Sequence, residues 1–219
     1  MKKRALLLIG ALLLASCASL PDIRPVADEK TTCPSPFPAQ KIRFIHTIEA
    51  VMAGKTKASM IGVTLADPVS RTISCAVMSP EGMVLFEALR GPSGLSVNRA
   101  LPPFDAADFA RNMMDDIELI FFEPRGALAR KGVLAKGEAV CRRHEDQGGW
   151  IDVWEDHDGR VHIRRYSEGG RLQRSVTLTG GPTNAYAAID LQASEWIGYS
   201  LSMTLIESET VQNETQMKE

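Results

Sequence analysis

Ile73-Ser74-Cys75-Ala76-Val77-Met78-Ser79-Pro80-Glu81-Gly82-Met83-Val84-Leu85-Phe86-Glu87-Ala88-Leu89 reads as two strands around one turn. Ile73, Cys75 and Val77 recur every second residue, the period of a half-buried strand. Ser79-Pro80-Glu81-Gly82 places Pro and Gly where a type I or II turn wants them. Residues 83–89 then form the next strand, and Gly91-Pro92-Ser93-Gly94 turns the chain into a short fifth near Leu95 and Val97. Upstream the same period continues. Phe44, His46, Ile48, Ala50 and Met52 alternate with mostly more polar residues, Gly54-Lys55 marks a turn, Ser59, Ile61, Val63 and Leu65 resume, and Asp67-Pro68 ends the run.

Downstream, the period changes to that of a helix. Phe109, Met113, Ile117, Ile120 and Phe121 recur at three- and four-residue steps. Asp105 is the expected N-cap, Asp108 adds negative charge to the first turn, and Pro124 stops the helix. Phe104 is placed to staple onto Phe109. Met113 and Met114 fit ordinary core packing, or the wall of an apolar cavity where flexible Met side chains adapt to varied ligands. Strands return at 139–144, 150–154, 161–166 and 172–178. They are separated by Gln147-Gly148-Gly149, His157-Asp158-Gly159 and Glu168-Gly169-Gly170, which are hairpin turns in sequence form. Residues 185–191 read as a short helix, and Tyr199, Leu201, Met203 and Leu205 as a last strand. The fold class expected is α+β: a curved antiparallel sheet closed by a few helices.

The flanks of this domain, 41–206, differ from it. Lys2, Lys3 and Arg4 precede roughly ten apolar residues, the layout of a secretory signal and too short for a spanning helix. The run ends in Leu14-Ala15-Ser16-Cys17, which resembles the lipobox of bacterial lipoproteins. The resemblance implies cleavage of residues 1–16 and lipidation at Cys17. Ala18 and Ser19 follow, without the Asp that resembles an inner-membrane retention signal, so the implied site is the periplasmic face of the outer membrane. Two or more acyl chains would tether the domain stably. Residues 18–40 contain Pro21, Pro25, Pro34, Pro36 and Pro38 and read as an extended spacer holding the domain off the membrane. Residues 207–219 read as a polar, disordered tail.

The formal net charge is -2, and loss of Lys2, Lys3 and Arg4 makes the mature chain more acidic still, which argues against a general nucleic-acid binder. Charged residues make up 24% and hydrophobic residues 44%, as in a globular domain with a real core. Cys33, Cys75 and Cys141 remain after lipidation, so an oxidising compartment permits one disulfide and one free thiol. Cys33 is placed to reach either partner, and Cys75 suits a buried thiol as well as a bridge.

Motifs of catalysis are sparse. His157, Asp158 and His162 are the one group with a spacing that could gather a metal, but an Asp-Gly hairpin turn explains them as well. His46 alternates with Phe44 and Ile48, as a partly buried histidine would. Ser93 lacks the G-x-S-x-G elbow of hydrolases, and no phosphate-binding glycine loop or paired zinc motif appears. Arg142-Arg143 and Arg164-Arg165 lie on strands, so each pair splits across two faces and reads as solvated surface. No enzyme, metal or cofactor is expected.

Taken together, the chain resembles the periplasmic lipoprotein carriers and outer-membrane receptors known as LolA and LolB. It looks most like small uncharacterised lipoproteins related to the receptor, some of which accompany aryl-polyene pigment genes. The resemblance rests on residues 73–124 and on Trp196-Ile197-Gly198-Tyr199-Ser200-Leu201. It implies an incomplete antiparallel barrel, closed by helices, that shelters acyl chains in an apolar cavity. Moving such chains through water exposes apolar area at about 25 cal/mol per Å². Phe86, Leu89, Phe109, Met113 and Ile117 are the expected cavity wall. Pro80, Glu81, Gly82 and Met83 form the expected membrane-facing turn. The receptor presents a leucine where this chain has Glu81, and a carboxylate resists entering a bilayer, leaving Met83 as the apolar side chain nearby. The expected partners are the membrane, through the anchor, and a lipid or other apolar ligand. The alternative is an assembly lipoprotein that touches another envelope protein.

Overall fold

The computed structural model describes residues 19–26, 32–52, 56–146, 148–180, 185–194 and 198–211. Cys17, the signal, Trp196 and residues 212–219 lie outside them. Twelve strands and one helix are present among these residues. The first five strands are β1 (Ile42–Met52), β2 (Thr56–Asp67), β3 (Thr72–Met78), β4 (Val84–Gly91) and β5 (Gly94–Ala100). Helix α1 (Ala107–Phe121) follows. The second half contributes β6 (Leu128–Val133), β7 (Ala139–His144), β8 (Trp150–Glu155), β9 (Val161–Tyr166), β10 (Leu172–Thr179), β11 (Ala188–Ala193) and β12 (Tyr199–Thr210).

All twelve strands form one open antiparallel sheet in the order β5-β4-β3-β2-β1-β12-β11-β10-β9-β8-β7-β6. Each half is a meander, and the pairing of β12 with β1 joins them. Consecutive strands β5 and β6 therefore sit at opposite edges. The chain must cross between those edges, and α1 is that crossing. Fifteen helical residues span about 22 Å at 1.5 Å each, and the helix packs on the inner face. One helix, rather than a few, does this among the described residues.

Five hairpins share one turn. At Ser79–Met83, Leu134–Glu138, Glu145–Gly149, Asp156–Arg160 and Ser167–Arg171, the first amide donates to the fifth residue's carbonyl and the fourth amide donates to the first carbonyl. The fourth residue is glycine each time, with φ between 75° and 95°, a conformation that L side chains rarely adopt.

The inner face is apolar because alternate strand residues point to it. Phe44 and Ile48 of β1, Ile73, Cys75 and Val77 of β3, Phe86 and Ala88 of β4, Val176 and Leu178 of β10 and Ile189 and Leu191 of β11 are buried in one cluster with α1.

Three sequence expectations are corrected here. Residues 185–191 do not form a helix; β11 pairs with β10 and β12 over this stretch. Ile189, Leu191 and Ala193 are buried and alternate with exposed Asp190 and Gln192, so pairing on both sides overrides the helix propensity of the alanines. The domain does not stop at residue 206. β12 runs to Thr210, where Arg43 of β1 bridges Glu207 and Glu209 at 3.2 and 2.7 Å.

The third correction concerns the proline-rich segment. It lacks regular structure, as expected, yet its described residues form a strap docked on the sheet. The Leu20 amide donates to Gly170, Arg142 donates to the Pro21 carbonyl at 2.8 Å, and Arg24 and Val133 exchange backbone hydrogen bonds on the edge of β6. Ile23 is 1% exposed, packed with Val140 and Trp154 on the outer face. A Cβ on Gly132 of β6 would lie 2.2 Å from the Arg24 carbonyl oxygen, so only glycine admits the strap here. The chain then returns to the inner face, where Cys33 is disulfide-bonded to Cys141 and Phe37 joins the core. Among the described residues, Cys75 is the free, buried thiol.

Candidate functional site

Helix α1 begins one residue later than the sequence suggests. Ala106 is its N-cap and makes no side-chain capping bond, so Asp105 does not cap it. The staple does form: Phe104 meets Phe109 edge-on at 5.4 Å, and Phe104 also packs on Phe86 at 5.9 Å. Buried Ala110, Met114, Leu119, Ile120 and Phe121 fix the helix to the inner face, and Met113 and Ile117 border the same cluster half-buried.

Of the five expected wall residues, Phe86, Phe109, Met113 and Ile117 thus meet around α1. Leu89 does not. It is 42% exposed on the outer face of β4, beside exposed Glu87. Residues three apart on a strand face opposite ways, so Phe86 and Leu89 cannot line one wall.

One buried polar group crosses the apolar interface. Asp116 of α1 accepts a hydrogen bond from Arg174 Nε of β10 at 2.7 Å and another from the Tyr199 hydroxyl of β12. Burial pushes the Asp116 carboxyl up, and Arg174 beside it pulls it back down. Burial and the neighbouring Asp116 charge push the Tyr199 hydroxyl well above its ordinary range. The signal was in the sequence: Asp116 falls three residues after Met113 and four before Ile120, on the apolar stripe rather than off it.

A cleft of about 660 Å³ opens along the C-terminal half of α1, between the β3–β5 wing and the β8–β10 wing. Its size suits a small-molecule ligand. Ile73, Leu119, Phe122 and Ile151 supply its apolar lining, and arginine–carboxylate pairs supply its polar lining. Arg90 pairs with Asp115, Arg71 with Glu118 at 3.2 Å, and Arg165 with Glu145 at 2.9 Å. Arg71 also lies over the Phe122 ring at 5.0 Å. None of the five expected wall residues lines this cleft. A second cavity, of about 10 Å³, is bounded by Pro36, Pro38, His46, Phe121 and Tyr186 and holds no more than a water.

The expected membrane-facing turn is exposed. Met83 is 55% accessible at its end. A hydrogen bond from Ser79 holds the exposed Glu81 carboxyl below its usual range, so it is charged at neutral pH.

The histidine group is committed elsewhere. His162 Nε2 is 2.8 Å from Asp156, Nδ1 is 3.3 Å from the Thr177 hydroxyl, and Trp154 stacks on the ring. No three metal-ligating side chains come together among the described residues. The arginine pairs split across faces, but Arg142 is buried rather than solvated, held by both oxygens of Asp152 at 2.6 and 2.7 Å.

Neither a family model nor a curated protein matches the sequence. Among solved structures, the crystal structure of a LolA superfamily protein from Nitrosomonas europaea is similar, with a TM-score of 0.50 at 10% sequence identity. The match covers 81% of this chain and 89% of that one. The chain therefore has a LolA-like fold: among the described residues, an open antiparallel sheet of twelve strands with one helix on its inner face.

Proposed function

We propose that this protein is a non-enzymatic lipoprotein of the outer membrane, anchored at Cys17, that binds a lipid or other long apolar molecule beneath α1 and aids its transfer to that membrane. Its relation to the uncharacterised lipoproteins related to LolB is part of the same proposal, and rests on the sequence resemblance of residues 73–124 and 196–201. The observation that carries the binding role is the single helix lying over an apolar half-barrel. Moving α1 aside uncovers Phe44, Val77, Phe86, Leu178 and Leu191. An acyl chain in the vacated space removes that area from water again, at about 25 cal/mol per Å². The cleft beside α1 is the entrance, and its arginine–carboxylate rim suits a polar headgroup.

The test is native mass spectrometry of the whole mature chain, exported with Cys17→Ser and purified without detergent. The strap stays in place because Phe37 and the Cys33–Cys141 bridge are part of the core. A co-purifying lipid or polyene-like mass, released on denaturation and lost in Met113→Trp, is the expected result. A clean protein mass that takes up no added phospholipid or fatty acid counts against carriage.

A second reading is an assembly lipoprotein that acts by contact with another envelope protein. It is favoured by the packing of the inner face: Phe86, Met114, Ile163, Leu178 and Leu191 are fully buried by the protein's own side chains. Crosslinking to a single envelope protein, together with absent lipid uptake, is its expected signature.

A further inference from the structure

We propose that the strap seats the domain directly on the membrane, with the β7–β8 and β9–β10 turns against the lipid headgroups and the cleft beside α1 opening at that contact. The proposal rests on the anchor at Cys17. A free spacer from residue 17 to 40, at about 3.1 Å per residue when extended, would let the domain stand some 70 Å away. The strap removes that freedom. Ser19 bridges Arg171, Leu20 is bonded to Gly170, the Pro21 carbonyl is held by Arg142, Ile23 is buried and Arg24 pairs with Val133. Only two residue steps separate Ser19 from Cys17, about 7 Å of chain at full extension. The lipid-bearing residue is therefore tethered within about 7 Å of the strap's docking point on the β9–β10 turn, and only its side chain and the glyceryl group lie between that tether and the acyl chains.

That turn is not isolated. Arg165, at the end of β9, pairs at 2.9 Å with Glu145 of the β7–β8 turn. Glu145, Asp146, Gly148 and Arg165 all line the cleft. The short tether thus brings one wall of the cleft to the headgroups, so that a lipid leaving the bilayer meets the cleft without crossing water. The opposite end of the same two strands, the β8–β9 turn at Asp156–Arg160, stands about 20 Å further off, the length of a six-residue strand.

The experiment compares two labelled positions in the full lipidated protein. Glu168 and His157 are exposed and occupy equivalent second positions of their turns, at opposite ends of β9. Each is replaced by cysteine in turn. Cys33 and Cys141 are bridged, and Cys75 is buried with its thiol pushed up to about 12, so the introduced thiol is the one that reacts. A fluorophore is attached, and the protein is placed in phosphatidylethanolamine–phosphatidylglycerol vesicles bearing a headgroup nitroxide. The label on Glu168→Cys is expected to be quenched at least three-fold more than that on His157→Cys. Adding Ile23→Asp, Cys33→Ser and Cys141→Ser frees the strap and should bring the two signals together while the protein stays bound. Equal quenching in the intact strap, or stronger quenching at His157→Cys, overturns the seating and leaves the anchor standing. Protein that remains in solution without acyl mass overturns the anchor, and the seating with it.

Discussion

The two edges of the sheet are finished in different ways. At β6 the strap runs along the outside, exchanges hydrogen bonds with Val133, and reappears on the inside at Cys33. At β5 nothing among the described residues covers the edge. There a bulge interrupts the pairing with β4, and Asn98 and Arg99 put polar groups along the strand. Both devices discourage edge-to-edge pairing with another chain. The difference teaches what each edge is for. A bulge and a charge only repel partners, whereas the wrapped edge ties the outer face, the inner face and the anchor segment into one unit. Perturbations of the β6 edge should therefore be costly, and perturbations of the β5 edge cheap.

The largest effect should come from the bridge. Cys33 and Cys141 are 108 residues apart, and a loop of that size is worth nearly 5 kcal/mol through the unfolded chain. Cys33→Ser with Cys141→Ser should lower the unfolding free energy by about that much, measured in urea. A loss under about 1 kcal/mol would mean that the wrap contributes little to the fold. Next is Arg142→Met, which strips the partner from Asp152, itself fully buried, and frees the Pro21 carbonyl. An uncompensated buried carboxylate costs about 4 kcal/mol. The double variant Arg142→Met, Asp152→Leu should recover most of it, because replacing the pair removes the desolvated charge as well.

How much of this was legible beforehand varies by element. Four of the five hairpins are readable because a glycine at the fourth turn position leaves few other conformations; the fifth, at Leu134–Glu138, goes unread with β6. Helix α1 was readable because its apolar stripe is long, although its cap was placed one residue early. Strand β6 was missed: Leu128-Ala129-Arg130-Lys131-Gly132-Val133 has no alternation, since an edge strand under a strap buries only part of one side. The strap reads as a spacer because five prolines punctuate it. The isolated apolar residues Ile23 and Phe37 were the contrary signal, since a solvated linker has no use for them. At the site, Leu89 was a parity error that strand geometry could have caught. Asp116 is hard to single out in the sequence because it stands beside a second aspartate, Asp115, which lines the cleft while Asp116 is buried. The cleft itself joins the two wings across α1, and no local pattern announces a contact between strands so far apart in the chain.

A third effect tests the inner half of the wrap. His46 is buried beneath Pro36 and Pro38 with no hydrogen-bond partner on Nδ1 among the described residues. Burial lowers its pKa from 6.5 to about 4. The fold thus favours the neutral ring. Its contribution is fully present above the unfolded value of 6.5 and is lost as the pH falls from there towards about 4, below which both states are protonated. At 1.36 kcal/mol per unit this amounts to roughly 3 kcal/mol. His46→Leu should flatten that part of the stability profile between pH 6.5 and 4; an unchanged acid slope would place its origin in other groups.

The smallest effect belongs to the uncovered edge. Val97 is 43% exposed on β5. If this edge is solvent-facing in the working protein, Val97→Lys replaces an exposed side chain with another that tolerates water and adds one more charge against strand pairing. The unfolding free energy should then move by less than about 0.5 kcal/mol, and the protein should stay monomeric in sedimentation. A loss of 1 kcal/mol or more would mean that Val97 is covered, by a second copy or by a partner. A concentration-dependent stability in the unsubstituted protein would identify the second copy, because self-association links folding to protein concentration. The contrast between the edges would then be one of which chain supplies the cover, and no longer of covered against open.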